Sequence, residues 1–315
     1  MKRIFSRVLA SAIIAASLQS HASADFLHDY NLVVTGTLTT GSEVEGRAIV
    51  NNVNVANASN FAFKLPANSP GYGLVVGGTI TGNLNPNDLK VQGGNALLSA
   101  NPNNVFGISG GGSIGINAAT ASGLVSQAAA EIANYSSYYA GLSTNSTVTL
   151  APNNQPGPVI FNAVAGANNV AVFSVDASLF SSQLSQSYKL IANNATTFVI
   201  NVLGTTVNFN QGNFLDGFKE NRSNIIFNFA SATNITASQN FYGAVLAPKA
   251  TLTSFNTQEG SLFVKNFTQT TEVHLPNFTG QPFSQAVPEP ASIAMVGVGV
   301  LGLLGYARRR APKAA

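Results

Sequence analysis

The strongest constraint on this chain is that its apolar runs are too short for anything but brief strands. Between Gly73 and Ile116 they read Leu74-Val75-Val76, Thr79-Ile80-Thr81, Leu89-Lys90-Val91, Ala96-Leu97-Leu98 and Val105-Phe106-Gly107-Ile108. Turn chemistry separates them at Gly77-Gly78, Asn85-Pro86-Asn87-Asp88, Gly93-Gly94 and Asn101-Pro102. Glycine and asparagine accept left-handed backbone and proline presets φ, so each run ends for a local reason. Strands this closely spaced are either the hairpins of a meander or successive faces of a coil. No fixed repeat length emerges.

The same texture continues along the chain. Residues 26–34 lead into a first strand, which Thr35-Gly36-Thr37-Leu38-Thr39 extends across a glycine, and 42–50 follow. Residues 151–158, with three prolines, read as a loop or hinge. Strands are expected at 159–161, 170–175, 189–191, 197–202 and 206–209, then at 224–229, 235–236, 241–246, 251–253 and 261–264. Residues 241–246 and 250–252 read as two coil faces turned by Pro248.

Composition favours the coil. Charged residues are only 9% of the chain, against ~25% in ordinary globular proteins. An apolar content of 45%, rich in Val, Ile and Phe, argues for packed β-structure instead of disorder. Abundant Asn and Thr suit stacked strands with polar ladders. One segment differs: Leu124, Ala128, Ile132, Tyr135 and Tyr139 recur at helical spacing, which predicts a helix over 122–139. Thr120 or Ser122 would cap it and Gly141 would stop it. The expected fold is therefore all-β, a β-solenoid or β-helix-like single domain with one flanking α-helix.

The two ends of the sequence read as addresses. Lys2, Arg3 and Arg7 precede an apolar run of 11 residues, 8–18, and Ala22-Ser23-Ala24 follows as a cleavage site. The run is too short to span a bilayer, so residues 1–24 read as a signal peptide removed by signal peptidase. At the other end Val287, Pro288, Glu289 and Pro290 precede 17 uncharged residues, 291–307, and then Arg308, Arg309 and Arg310. The prolines keep a helix from running in from upstream. The apolar run as a transmembrane helix would be about 25 Å long, the lower limit for ~30 Å of hydrocarbon. The arginines place the tail inside and the body outside.

This order of parts resembles the PEP-CTERM sorting signal of Gram-negative, exopolysaccharide-producing bacteria. The resemblance implies recognition of 287–290 by an exosortase-type processing enzyme and transient anchoring in the inner membrane. A plain single-span anchor is the alternative, and either one exports the body. Without both ends the whole-chain pI of about 9.2 loses its meaning. Residues 25–286 carry eight basic against eleven acidic side chains, near −3, which leaves no basic patch for nucleic acid. The chain has no cysteine, which excludes disulfides and thiol chemistry.

Tyr30-Asn31-Leu32-Val33-Val34, followed by Glu43-Val44-Glu45-Gly46-Arg47-Ala48, is similar to the opening of bacterial choice-of-anchor A domains. That resemblance covers residues 25–286. It implies a surface-displayed, non-catalytic domain, with matrix or collagen adhesion among its relatives. The layout of β-coils beside one helix also resembles bacterial ice-binding solenoids.

Chemistry-bearing groups are sparse. His28 and His274 stand alone in sequence, in no metal-ligand spacing. Ser109-Gly110-Gly111-Gly112-Ser113 lacks the Lys and Ser/Thr of a phosphate loop and reads as a turn. Glu43 and Glu45, two apart, would share a strand face with Arg47. They are either an acid pair for glycan cleavage or Ca²⁺, or a charged cluster that Arg47 neutralises. Thr-x-Thr pairs at 35/37, 37/39, 79/81, 147/149 and 251/253 would form a flat array if a solenoid aligned them. The reading that results is an exported cell-surface or biofilm-matrix protein with an adhesive or structural role. It takes no cofactor or metal, is not an enzyme, and has an extracellular polysaccharide or matrix protein as its partner. A polysaccharide-acting β-helix enzyme and an ice-binding protein are the alternatives.

Overall fold

Parallel pairing decides between meander and coil. The computed structural model describes residues 25–281. Among them the only antiparallel strand pairing is Thr147–Thr149 against Gly157–Asn162, and the rest stack in parallel columns. Three columns make the three faces of a β-solenoid. The first face runs Val170–Asp176, Thr197–Leu203, Ile225–Asn228, Ala244–Ser254, Leu262–Gln269, Leu32–Thr40, Ala48–Val55, Tyr72–Val76, Asn95–Leu98 and Ile114–Ile116. The amino-terminal strand is therefore slotted into the middle of the stack, between Leu262–Gln269 and Ala48–Val55.

Successive coils on this face begin at register partners Leu32, Ala48, Leu74, Ala96 and Ile114, intervals of 16, 26, 22 and 18 residues. Such uneven coils leave no repeat length to find in the sequence. Four strands continue from the first face onto the second with a register irregularity at the bend, between Val34 and Thr37 and between Ala247 and Thr251. Pro248 thus does not separate two strands, as the sequence implied. It sits at a bend inside the single strand Ala244–Ser254, where the ladder is interrupted and no N–H is needed. At the equivalent bend a Cβ on Gly36 would lie 2.3 Å from Asn266 Oδ1, which is why the strand crosses that corner on glycine.

First-face strands are mostly apolar because most of both sides is covered. Leu32, Val34, Ala48, Val50, Leu74 and Val76 point into the lumen, and Val33, Ile49, Val75 and Leu97 are buried on the other side. The cover is the helix Ala118–Ala140, which lies across this face from Asn95–Leu98 to Thr197–Leu203. It begins four residues earlier than the spacing predicts, because Asn117 Oδ1, not Thr120 or Ser122, caps it by accepting Thr120 N–H at 3.0 Å. Gly141 ends it as expected. Buried amides fasten its last turns: Ser136 Oγ donates to Asn228 Oδ1 (2.7 Å), Asn228 Nδ2 donates to Ser136 O (3.0 Å) and Asn201 Oδ1 (2.8 Å), and Asn201 Nδ2 donates to Tyr139 O (2.8 Å).

The lumen near Val170–Asp176 is filled by rings. Phe161, Phe173, Phe180, Tyr188, Phe209, Phe214, Phe218, Phe227 and Phe241 are buried, with neighbouring centroids as close as 4.5 Å for Phe214–Phe218 and 4.7 Å for Phe209–Phe241. Ahead of the first strand, Phe26–Asp29 is a short helix capped by Asp25.

Candidate functional site

On the second face inward and outward residues alternate strictly. Leu38, Val53, Val55, Phe267, Leu252, Ile235, Ala237, Val207 and Phe209 enter the core. The residues between them point outward and fall into two columns of seven rungs each. One column is Thr206, Asn234, Thr251, Asn266, Thr37, Asn52 and Thr79; the other is Asn208, Thr236, Thr253, Thr268, Thr39, Asn54 and Thr81. All fourteen positions are Thr or Asn, and none is charged. Rungs in such a stack lie about 4.8 Å apart, and i, i+2 side chains about 6.6 Å apart.

Hydrogen bonds along the stack fix the first column. Asn266 Nδ2 donates to Thr251 Oγ1 (3.1 Å), and Asn266 Oδ1 accepts Thr37 N–H (2.9 Å). Asn52 Oδ1 accepts Thr79 N–H (2.8 Å) and its hydroxyl (3.0 Å). The threonines are β-branched and hold their rotamers, so the surface is preorganised. Of the Thr-x-Thr pairs read from the sequence, 37/39, 79/81 and 251/253 lie on this face. Thr35 falls at the corner, and 147/149 belongs to the antiparallel strand elsewhere. Sequence reasoning missed the asparagine rungs, because Asn reads as a turn residue until register aligns it with Thr.

Glu43 and Glu45 flank the buried Val44, which is bridged to Phe61 and Val273, and each carboxylate has its own partner. Glu43 Oε1 accepts from Asn60 Nδ2 (2.6 Å), and Glu45 Oε2 accepts Leu275 N–H (2.9 Å). Arg47 neutralises neither: its guanidinium donates to the carbonyls of Tyr72 and Pro70, both at 2.7 Å.

Glu45 joins a cluster assembled from separate coils. His274 Nδ1 meets Glu259 Oε1 at 3.0 Å, and its Nε2 meets Glu272 Oε2 at 2.7 Å and Glu45 Oε1 at 3.8 Å. Burial opposes the imidazolium, but the Glu272 and Glu259 hydrogen bonds outweigh it and raise the His274 pKa. Ligand atoms of Glu45, Glu272 and His274 lie within 4.8 Å of one another. Through these bonds His274 clamps the last short strand, Val273–His274, to the coil. The only local hint was Glu272-x-His274, since Glu45 and Glu259 arrive from other coils.

His28 forms a second clasp. Its Nδ1 meets Asp25 Oδ2 at 2.7 Å, its Nε2 meets Gly280 O at 2.9 Å, and its ring stacks on Phe278. Despite burial, the Asp25 and Gly280 hydrogen bonds raise its pKa. Nearby, burial pushes Glu131 up to about 7 even though its Oε1 accepts Leu27 N–H at 3.1 Å. Both histidines fasten the carboxyl-terminal strap of the body.

Ala22, Ala24, 287–290 and 308–310 lie outside the described residues. The profile of a family described as "Putative Ice-binding-like adhesive domain" matches residues 23–275. That of the PEP-CTERM protein-sorting motif matches residues 286–310, which include the proline and arginine positions singled out above. No curated protein matches the chain. Among solved structures it is similar to the crystal structure of an ice binding protein from an Antarctic Biological Consortium. The identity is 14% over 81% of this chain and 90% of that one, with a TM-score of 0.39.

Proposed function

Because the chain belongs to the ice-binding-like adhesive domain family, we propose that it is an exported surface adhesin whose Thr/Asn face is the contact surface. The sorting motif supports export and processing by exosortase-type machinery. Signal peptidase would release the amino end, and the resemblance to choice-of-anchor A domains fits the same display role. The observation that carries the reading is the run of fourteen outward Thr and Asn positions over seven rungs.

A flat, uncharged array that repeats every strand suits a ligand that is itself uncharged and repeating. An ordered extracellular polysaccharide surface has that chemistry, offering hydroxyls at regular intervals. Each hydrogen bond formed there contributes only about 0.5–1.5 kcal/mol, so affinity comes from many rungs engaging at once. Rigid β-branched side chains keep the entropy cost of each contact low. We take the body to be non-catalytic. Glu43 and Glu45 are engaged separately, and the remaining acids near Glu45 surround His274, which supports that reading.

A second reading, ice as the ligand, is favoured by one observation. Thr236, Thr253, Thr268 and Thr39 form an unbroken column of methyls and hydroxyls. The test is to incubate the purified protein with insoluble neutral polysaccharides and, separately, with growing ice. Thr253→Lys with Thr39→Lys should abolish retention on the ligand that wild type binds while leaving the melting curve in place. Retention undiminished in a folded double variant would overturn the assignment of this face.

A further inference from the structure

The two ends of the coil are built differently. At one end every face is covered. Asn145 Oδ1 accepts Val172 N–H (2.8 Å), its Nδ2 donates to Val170 O (3.0 Å), and Asn145 and Ser146 N–H donate to Val172 O (3.1 Å each). The second face ends beneath the turn Ala177–Phe180, whose Phe180 O accepts Asn210 and Gln211 N–H. The third face is closed by the antiparallel strand Thr147–Thr149.

At the other end no such cover exists among the described residues. Ile114–Ile116 pairs only with Asn95–Leu98, and Phe106–Ile108 only with Leu89–Val91. Ala96 N–H donates to Ser113 O and Asn117 N–H to Leu98 O, so in the alternation of a parallel ladder the N–H and C=O of Ile114 and Ile116 point out of the coil end. The side chains tell the same story. Ile116 continues the lumen column of Leu98, yet Ile116 is 63% exposed where Leu98 is 0%. Ile108 and Ile114 are half-buried at the same level. From Val91 to Ala130 there is no charged residue, so the edge lacks the lysines that ordinarily prevent strand addition.

We propose that this open end is an interface with a second copy of the same chain, coil end against coil end across a two-fold axis. An edge strand placed against its own copy by a two-fold can pair antiparallel, and Ile108, Ile114 and Ile116 of each copy close the other's lumen. An uncharged surface meets its twin without repulsion. Because the opposite end is capped, head-to-tail filaments are blocked and assembly closes at two. The dimer carries two Thr/Asn faces, but the interface does not depend on what that face binds.

The chain has no cysteine, so a single introduced thiol reports contact cleanly. In the full chain, exported with its own signals, Ile116→Cys should form a disulfide-linked dimer on oxidation. Val164→Cys, 52% exposed near the capped end, should not. Juxtaposition within a preformed interface should raise linkage about tenfold or more over random collision. Wild type should sediment as a dimer, and Ile116→Lys as a monomer with an unchanged melting curve. Should Ile116→Lys fail to fold, the cysteine comparison at an already exposed position still decides. A monomeric wild type with equal linkage at 116 and 164, or linkage at 116 to a different protein, would overturn the proposal.

Discussion

Replacing Thr39, Thr253 and Thr268 together by valine isolates the hydroxyls of the Thr/Asn face. The three occupy consecutive rungs, Thr253 opposite Thr268 and Thr268 opposite Thr39. They lie at the centre of the seven, half-buried at their bases. Valine keeps their shape and strand preference, so stability should change by no more than about 0.5 kcal/mol. Binding should change far more. Three hydrogen bonds at about 0.5–1.5 kcal/mol each sum to about 1.5–4.5 kcal/mol, or roughly ten- to a thousandfold in Kd. The measurement is an adsorption isotherm on whichever polysaccharide retains wild type, beside a thermal melt of each variant. Thr→Ser at the same positions keeps hydroxyls and removes methyls, so it separates sugar hydrogen bonding from the methyl-dependent ordering of water on ice. A folded valine variant that binds within about twofold of wild type would refute the claim that these hydroxyls make the contact.

Asn228→Ala removes three buried hydrogen bonds, two of them between helix and coil, and leaves Asn201 Oδ1 without its donor. The cost should be about 3–5 kcal/mol, lowering Tm by roughly 6–20 °C, and a melt within 2–3 °C of wild type would contradict it. Gly36→Ala drives a Cβ to 2.3 Å from Asn266 Oδ1 and 2.7 Å from Lys265 O. It should cost about 1–3 kcal/mol and weaken the Thr face by displacing Asn266, read as a lower Tm together with lower adsorption. His28, His274 and Glu131 all have folded pKa values above their ordinary 6.5, 6.5 and 4.5, with Glu131 at about 7. Each therefore adds stability below its ordinary value and loses it as pH rises through the folded value. Stability should fall as pH rises from mildly acidic through neutral, and Glu131→Gln should flatten the part between 4.5 and about 7. A denaturation series that is flat or rising across that window in wild type would defeat the argument.

How much of this could be read from residues alone varies by face. Runs such as Leu74-Val75-Val76 announce strands covered on both sides, and the helix that covers them was equally plain from Ala128, Ile132 and Tyr139. Alternation at Thr37-Leu38-Thr39 announces a strand with one side in water. Stacking order was not readable. Nothing local says that Leu32–Thr40 lies between Leu262–Gln269 and Ala48–Val55, since parallel register is set by lumen packing over intervals of 16 residues or more. The site inherited that blindness: Asn266 becomes part of a threonine column only when placed between Thr251 and Thr37. His274 likewise acquires its acids from three different turns.

That same slotting of the amino-terminal strand decides how an adhesive load would travel. The described chain starts and ends at one corner, between the third and first faces. Asp25 and His28 lead into Leu32–Thr40, while Thr279 N–H donates to Ser223 O (2.7 Å) just before Ile225–Asn228. This corner is opposite the Thr/Asn face. The strands next to the exits, Leu262–Gln269 and Leu32–Thr40, carry the fourth and fifth of the seven rungs. Tension entering at residue 281 first meets the His28–Gly280 clasp, the Glu45–Leu275 hydrogen bond and the His274 cluster. It then spreads from the middle of the stack in both directions. A solenoid pulled from its last coil peels one ladder at a time. One pulled from its centre must shear coils on both sides together, so the rungs share the load.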